Sequence, residues 1–113
     1  MPEHTIPETT VVVTEALEGS AVERWGDLIA AAAALKPRLL VVDLCGSPTI
    51  DASAIVMLLQ THRTMVCADG RMVLRGPARR VRRMLGLARV DRVLEIEGSV
   101  LPASAVPAAG SGS

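Results

Sequence analysis

The run "RLLVVDL" at 38–44 constrains this chain more than any other stretch. It is nearly all apolar, with no polar alternation. A strand of that kind is covered on at least one face and belongs in the middle of a sheet. Pro37 precedes it, and the turn cluster "CGSPT" (45–49) follows it. The cover must come from the flanking segments, so those must be helices with an apolar side.

The flanks have that pattern. Upstream, "TTVVVTEAL" (9–17) is β-branched and reads as a strand. In "EGSAVERWGDLIAAAAAL" (18–35), Ser20 and Glu23 have the spacing of a capping box, and Val22, Trp25, Ile29 and Ala32 recur at helical spacing. Downstream, a helix is predicted from about Ala52 to Cys67, with Ile55, Leu58, Leu59, His62 and Val66 on its inner face. Asp69-Gly70 is a tight turn and "RMVLRG" (71–76) a short strand. "ARRVRRML" after Pro77 is helical, with Val81, Met84 and Leu85 inward and Gly86 as its stop. "RVLEI" (92–96) reads as a last strand. The order β-α-β-α-β-α-β predicts an α/β layer fold. Residues 1–8 read as a loose arm, 9–97 as one domain, and the Pro/Ala/Gly/Ser stretch 98–113 as a disordered tail.

The chain has 113 residues, which suits one domain, and half of them are hydrophobic. Trp25 is the one aromatic, so the core is aliphatic. Twelve bases balance twelve acids, and no global field attracts nucleic acid or an anionic membrane. The charge is unevenly placed. Residues 1–35 hold six acids and one arginine, net −5; residues 71–97 hold eight arginines and three acids, net +5. "MPEHTIPE" has neither a basic nor an apolar region, so it is no signal peptide, and the longest apolar run, Leu28 to Leu35, is too short for a membrane span. A cytoplasmic protein without direct membrane insertion is expected.

Enzymatic chemistry finds little support. Cys45 follows a strand, where thiol phosphatases and sulfurtransferases place a nucleophile, but the phosphate-holding arginine six residues on is here Asp51. His4 and His62 are isolated. "CGSPTID" matches neither phosphate-binding glycine loop, so no cofactor is expected. Asp43 and Asp51 flank that loop without further metal ligands. Cys45 and Cys67 read as reduced thiols about 20 Å apart along the second helix, too far to bridge. Arg79, Arg80, Arg82 and Arg83 form the strongest charge feature. They suit a solvated face first, an acidic protein partner second and nucleic acid last, since no aromatic platform accompanies them.

"TIDASAIV" (49–56) remains. Asp51 is a good N-cap for the second helix. Ala52, Ser53 and Ala54 make a first turn of small residues that another protein can approach closely. A phosphate on Ser53 would add about −1.5 to −2 charge, tolerated by the helix start and not by an apolar or acidic partner. Serine is also common there simply as capping chemistry.

Taken together, "ALEGSAVERW", "LLVVDLCGSPTIDASAIVMLL" and "ADGRMVLRGPARRVRRMLGLARVDRVLEI" resemble, in order and spacing, the STAS domain family of bacterial anti-anti-sigma factors (anti-sigma factor antagonists). The resemblance spans about residues 9–97. It implies a small α/β domain with a four-stranded mixed sheet and packed helices. It also implies a binding protein, not an enzyme. The partner is an anti-sigma factor that is also a serine kinase of the GHKL ATPase type, and binding frees a sigma factor for transcription. Phosphorylation at the start of the second helix releases the antagonist, and a serine phosphatase resets it.

The family's acceptor directly follows the Asp. Here that position is Ala52, and the nearest hydroxyl is Ser53. One helical step turns a side chain by about 100°, away from a kinase aligned on the usual position. Ser53 is the candidate phosphoacceptor. Ser47, Thr49, Asp51, Ala52, Ser53 and Ala54 are the candidate partner-binding residues. The alternative is an accessory or assembly module of a stress-signalling complex or a lipid-transport ABC system, in which the helix start docks without phosphate chemistry.

Overall fold

The computed structural model describes residues 7–97. The expected arm and tail lie outside them, apart from Pro7 and Glu8. The elements run β1 (Glu8–Val12), α1 (Ser20–Ala34), β2 (Leu39–Asp43), α2 (Ala52–Cys67), β3 (Arg71–Arg75), α3 (Arg79–Leu87), a 3-10 turn (Val90–Arg92) and β4 (Glu95–Glu97). The alternating order is as the sequence predicts.

The four strands lie side by side in chain order, β1-β2-β3-β4, and every pair is parallel. The expected mixed sheet is corrected to a parallel one. Each of the first three strands is followed by a helix that carries the chain back to the same end, so successive strands point the same way. Crossovers of one hand that step in one direction leave their helices on a single face. The register agrees: Val11, Val42, Leu74 and Ile96 stand in one row and Leu40 beside Met72 in another; Val42, Leu74, Leu40 and Met72 belong to the core with Ile29, Leu58, Val81 and Leu85, and the partly buried Val11 and Ile96 pack against it. On the opposite face Arg71 pairs with Glu95, and Arg75 with Glu97 at 2.6 Å. Val41 and Val73 are nevertheless buried there. That is why "LLVV" shows no alternation: β2 is central and buried on both sides.

Several boundaries differ from the expected ones. β1 ends at Val12, not at residue 17, because its partner β2 stops at Asp43 and leaves residues 14–16 nothing to pair with. Ser20 and Glu23 make no capping box. Ser20 is inside α1, and the N-cap is Gly19, at φ 57° and ψ −130°, without a side-chain cap. The buried residues of α2 are Ala54, Ile55, Leu58, Thr61 and Met65, whereas Leu59 and His62 are half-buried and Val66 is 51% exposed. The buried stripe is rotated because α2 packs on α1 as well as on the sheet. Thr61 is tolerated inside because its hydroxyl donates to the Met57 carbonyl at 2.9 Å. α3 runs past Gly86 to Leu87, and Arg89, not glycine, takes the left-handed conformation behind it. Residues 90–92 coil before the strand, so β4 is shorter than "RVLEI".

Candidate functional site

Two helix starts meet at one edge of the domain. After β1 the chain returns to touch the loop before α2 through one parallel bridge, Leu17 to Ile50. The Leu17 N–H donates to the Thr49 carbonyl at 2.9 Å, and the Asp51 N–H to the Leu17 carbonyl at 3.2 Å. Both bridge residues are apolar and fully buried, so burial holds the two loops together. Gly19 and Asp51, the caps of α1 and α2, are thereby brought side by side.

Asp51 serves both. Its Oδ1 accepts the Ala54 N–H at 2.9 Å, the N-cap bond expected from the sequence. Its Oδ2 accepts the Gly19 N–H at 2.9 Å. The Ser53 hydroxyl donates to Oδ1 at 2.7 Å. The Ser53 hydroxyl first, and then the backbone N–H groups of Gly19 and Ala54, hold this carboxyl below the usual carboxylate range. No other acid lies in the first turn of α2, so Asp51 alone answers the positive end of that helix.

The expected contact residues divide into two layers. Ala52 and Ser53 are exposed, and Asp51 and Thr49 are partly so. Ser47 and Ala54 are fully buried beneath them. The Ser47 hydroxyl donates to the Thr49 carbonyl at 3.2 Å and shapes the loop. The Thr49 hydroxyl points at Met84 Sδ, 3.6 Å away, which ties the loop to α3. The sequence does not mark Gly19 as a site residue; its signal is the block "ALEGSAVERW", whose local pattern points to a helix start.

Cys45 is exposed at the other end of the loop. Its N–H donates to Asp43 Oδ1 at 2.9 Å. A hydrogen bond with the Asp43 carboxylate, then burial, push the thiol pKa up, opposite to what a thiolate nucleophile needs. Cys45 and Cys67 are both free thiols. Among the described residues no cluster of metal-ligating side chains occurs, and no helix is long and apolar enough to cross a membrane.

The site is therefore a surface: two capped helix starts, a flat turn carrying Ala52 and Ser53, and a loop braced from below. No curated protein matches the sequence. Among solved structures, a Thermotoga maritima protein proposed to be an anti-sigma factor antagonist is similar in fold, with TM-score 0.69 at 16% identity over 80% of each chain. The model of the STAS domain matches residues 3–103. The chain belongs to the STAS domain family.

Proposed function

We propose that this protein is an anti-sigma factor antagonist. It docks the exposed start of α2, with Asp51, Ala52, Ser53 and Thr49 at the surface and Ser47 and Ala54 supporting them, against an anti-sigma factor of the GHKL serine-kinase type. That frees a sigma factor, and the protein's role is binding rather than catalysis. The observation that carries this reading is the exposed first turn of α2, capped from within by Asp51 and made of small side chains. Such a turn lets a partner backbone approach closely.

Ala52 has no hydroxyl where the family's acceptor stands, and the Ser53 hydroxyl is already given to Asp51. Docking that kinase activity does not release is the version these two residues favour. A phosphate on Ser53 would set a dianion against the Asp51 carboxylate and break the bonds to Ala54 and Gly19. The same missing hydroxyl suits the accessory-module reading, in which the partner is an ATPase or permease subunit.

The test is to titrate the purified protein against each GHKL-type anti-sigma kinase of its host, with and without ATP, and to weigh it afterwards. Binding that persists in ATP, with the mass unchanged, is expected. Stoichiometric phosphate on Ser53 with release of the partner overturns the constitutive version. No affinity for any such kinase overturns the whole reading.

A further inference from the structure

α3 carries four arginines and no acid. Its apolar side is spent on the core, where Val81 and Leu85 are fully buried, while Arg79, Arg80, Arg82 and Arg83 are all exposed. Arg24, Arg71 and Arg75 each hold a glutamate. Arg79, Arg80 and Arg83 have no ion-pair partner among the described residues. With Met84 they line a shallow concavity of about 620 Å³. Met84 is also the residue that the Thr49 hydroxyl points at. The arginine concavity therefore abuts the loop that leads into α2.

We infer that this concavity receives carboxylates of an acidic segment on the protein that docks at the start of α2; the inference rests on that docking reading. Guanidinium forks match carboxylates in pairs, and a like-charged cluster with no acid between its members gains when an anionic surface covers it. A half-buried methionine among them supplies an adaptable apolar floor. A membrane fits poorly, because Val81 and Leu85 are spent on the core and Leu87, at the far end of α3, is its one exposed large apolar side chain, too little to insert. Nucleic acid fits poorly too. These residues include no aromatic for stacking, and Trp25 is on α1, donating to Glu15 at 2.7 Å.

The test uses a fluorescein-labelled, glutamate-rich peptide, an oligonucleotide of equal charge and phosphatidylglycerol vesicles, each titrated with the folded protein at low and physiological salt. The peptide is expected to bind best. The Arg79→Ala/Arg83→Ala protein should lose about tenfold in peptide affinity, and Arg38→Ala/Arg63→Ala, with the same loss of charge, less than about twofold. Equal losses in the two double variants, absent peptide binding, or tighter binding of oligonucleotide or vesicles overturns the inference. Titration with the anti-sigma kinase separates the two readings. A kinase bound equally well by Arg79→Ala/Arg83→Ala removes the arginine surface and leaves docking at α2. Peptide binding that stands while no kinase binds removes the named partner and leaves the arginine surface.

Discussion

The backbone N–H of Gly19 donates to Oδ2 of Asp51 at 2.9 Å across a separation of 32 residues, so one carboxylate holds the starts of two helices. A local cap on α1 is unnecessary because a tertiary one is supplied. The surface proposed to meet a partner is built on that bond, and stability and recognition are therefore linked at Asp51.

Removing the carboxylate should loosen both helices. Asp51→Ala is expected to cost about 1–3 kcal/mol, as the N-cap bond and the Gly19 bond are lost together. Asp51→Asn keeps one acceptor oxygen and should cost about half as much. Urea unfolding followed by far-UV circular dichroism checks both. A loss no larger than that of an exposed surface substitution would show that the double cap contributes little.

The pH dependence has a definite sign. The folded Asp51 pKa is depressed, chiefly by the Ser53 hydroxyl. Its contribution to stability is therefore present above the unfolded carboxylate value, about 4, and is lost as pH falls through the lower folded value. Unfolding midpoints from pH 7 down to pH 2 should fall more steeply for the wild type than for Asp51→Asn. Ser53→Ala should move the Asp51 titration back upward, read from its side-chain carboxyl carbon by NMR.

Charge at position 52 should separate docking from folding. Ala52→Asp puts an acid in the first turn of α2, which the helix dipole accommodates with a change within about 1 kcal/mol. The thermal midpoint should hardly move, while affinity for the anti-sigma partner should fall by about tenfold or more because a new charge must be desolvated in the interface. Calorimetry of the variant alone and with the partner reads both quantities. An unchanged affinity would place the contact surface elsewhere.

Gly76 is held at φ 61°, and a Cβ there would overlap the Cys45 side chain at Sγ. Gly76→Ala should destabilise by about 2 kcal/mol or more, from left-handed strain plus the clash. Cys45→Ala removes the sulfur and should restore part of that loss, leaving the backbone share. A double-mutant cycle measures the coupling. Simple additivity would mean that the loop shifts to make room.

The parts of the fold that depend on neighbours in sequence were legible. β2 is recognisable from its unbroken apolar run, and α2 has the bounds that Asp51 and the helical spacing predict. What failed did so because a partner distant in sequence decided it. Ser20 and Glu23 have the right spacing for a cap, yet Asp51 takes over the N–H of Gly19 and Ser20 becomes the first helical residue. Gly86 is a reasonable stop for α3, yet the helix continues to Leu87 and Arg89 makes the turn.

The candidate site divides in the same way. Asp51, Ala52 and Ser53 are recognisable from "TIDASAIV" because capping is a local property, written in the residue and its next few neighbours. The burial of Ser47 and Ala54, the Leu17–Ile50 bridge and the approach of Met84 to Thr49 are not, because each depends on where a separate element packs. The sequence alone determined an α/β alternation, a central strand and an acid-capped helix with an alanine at its first position. Only the tertiary structure decided that the sheet is parallel throughout, that two helix starts share one carboxylate, and that Met84 of α3 meets the loop leading into α2. The former follow from local propensity and periodicity; the latter from packing, which joins residues the chain itself keeps apart.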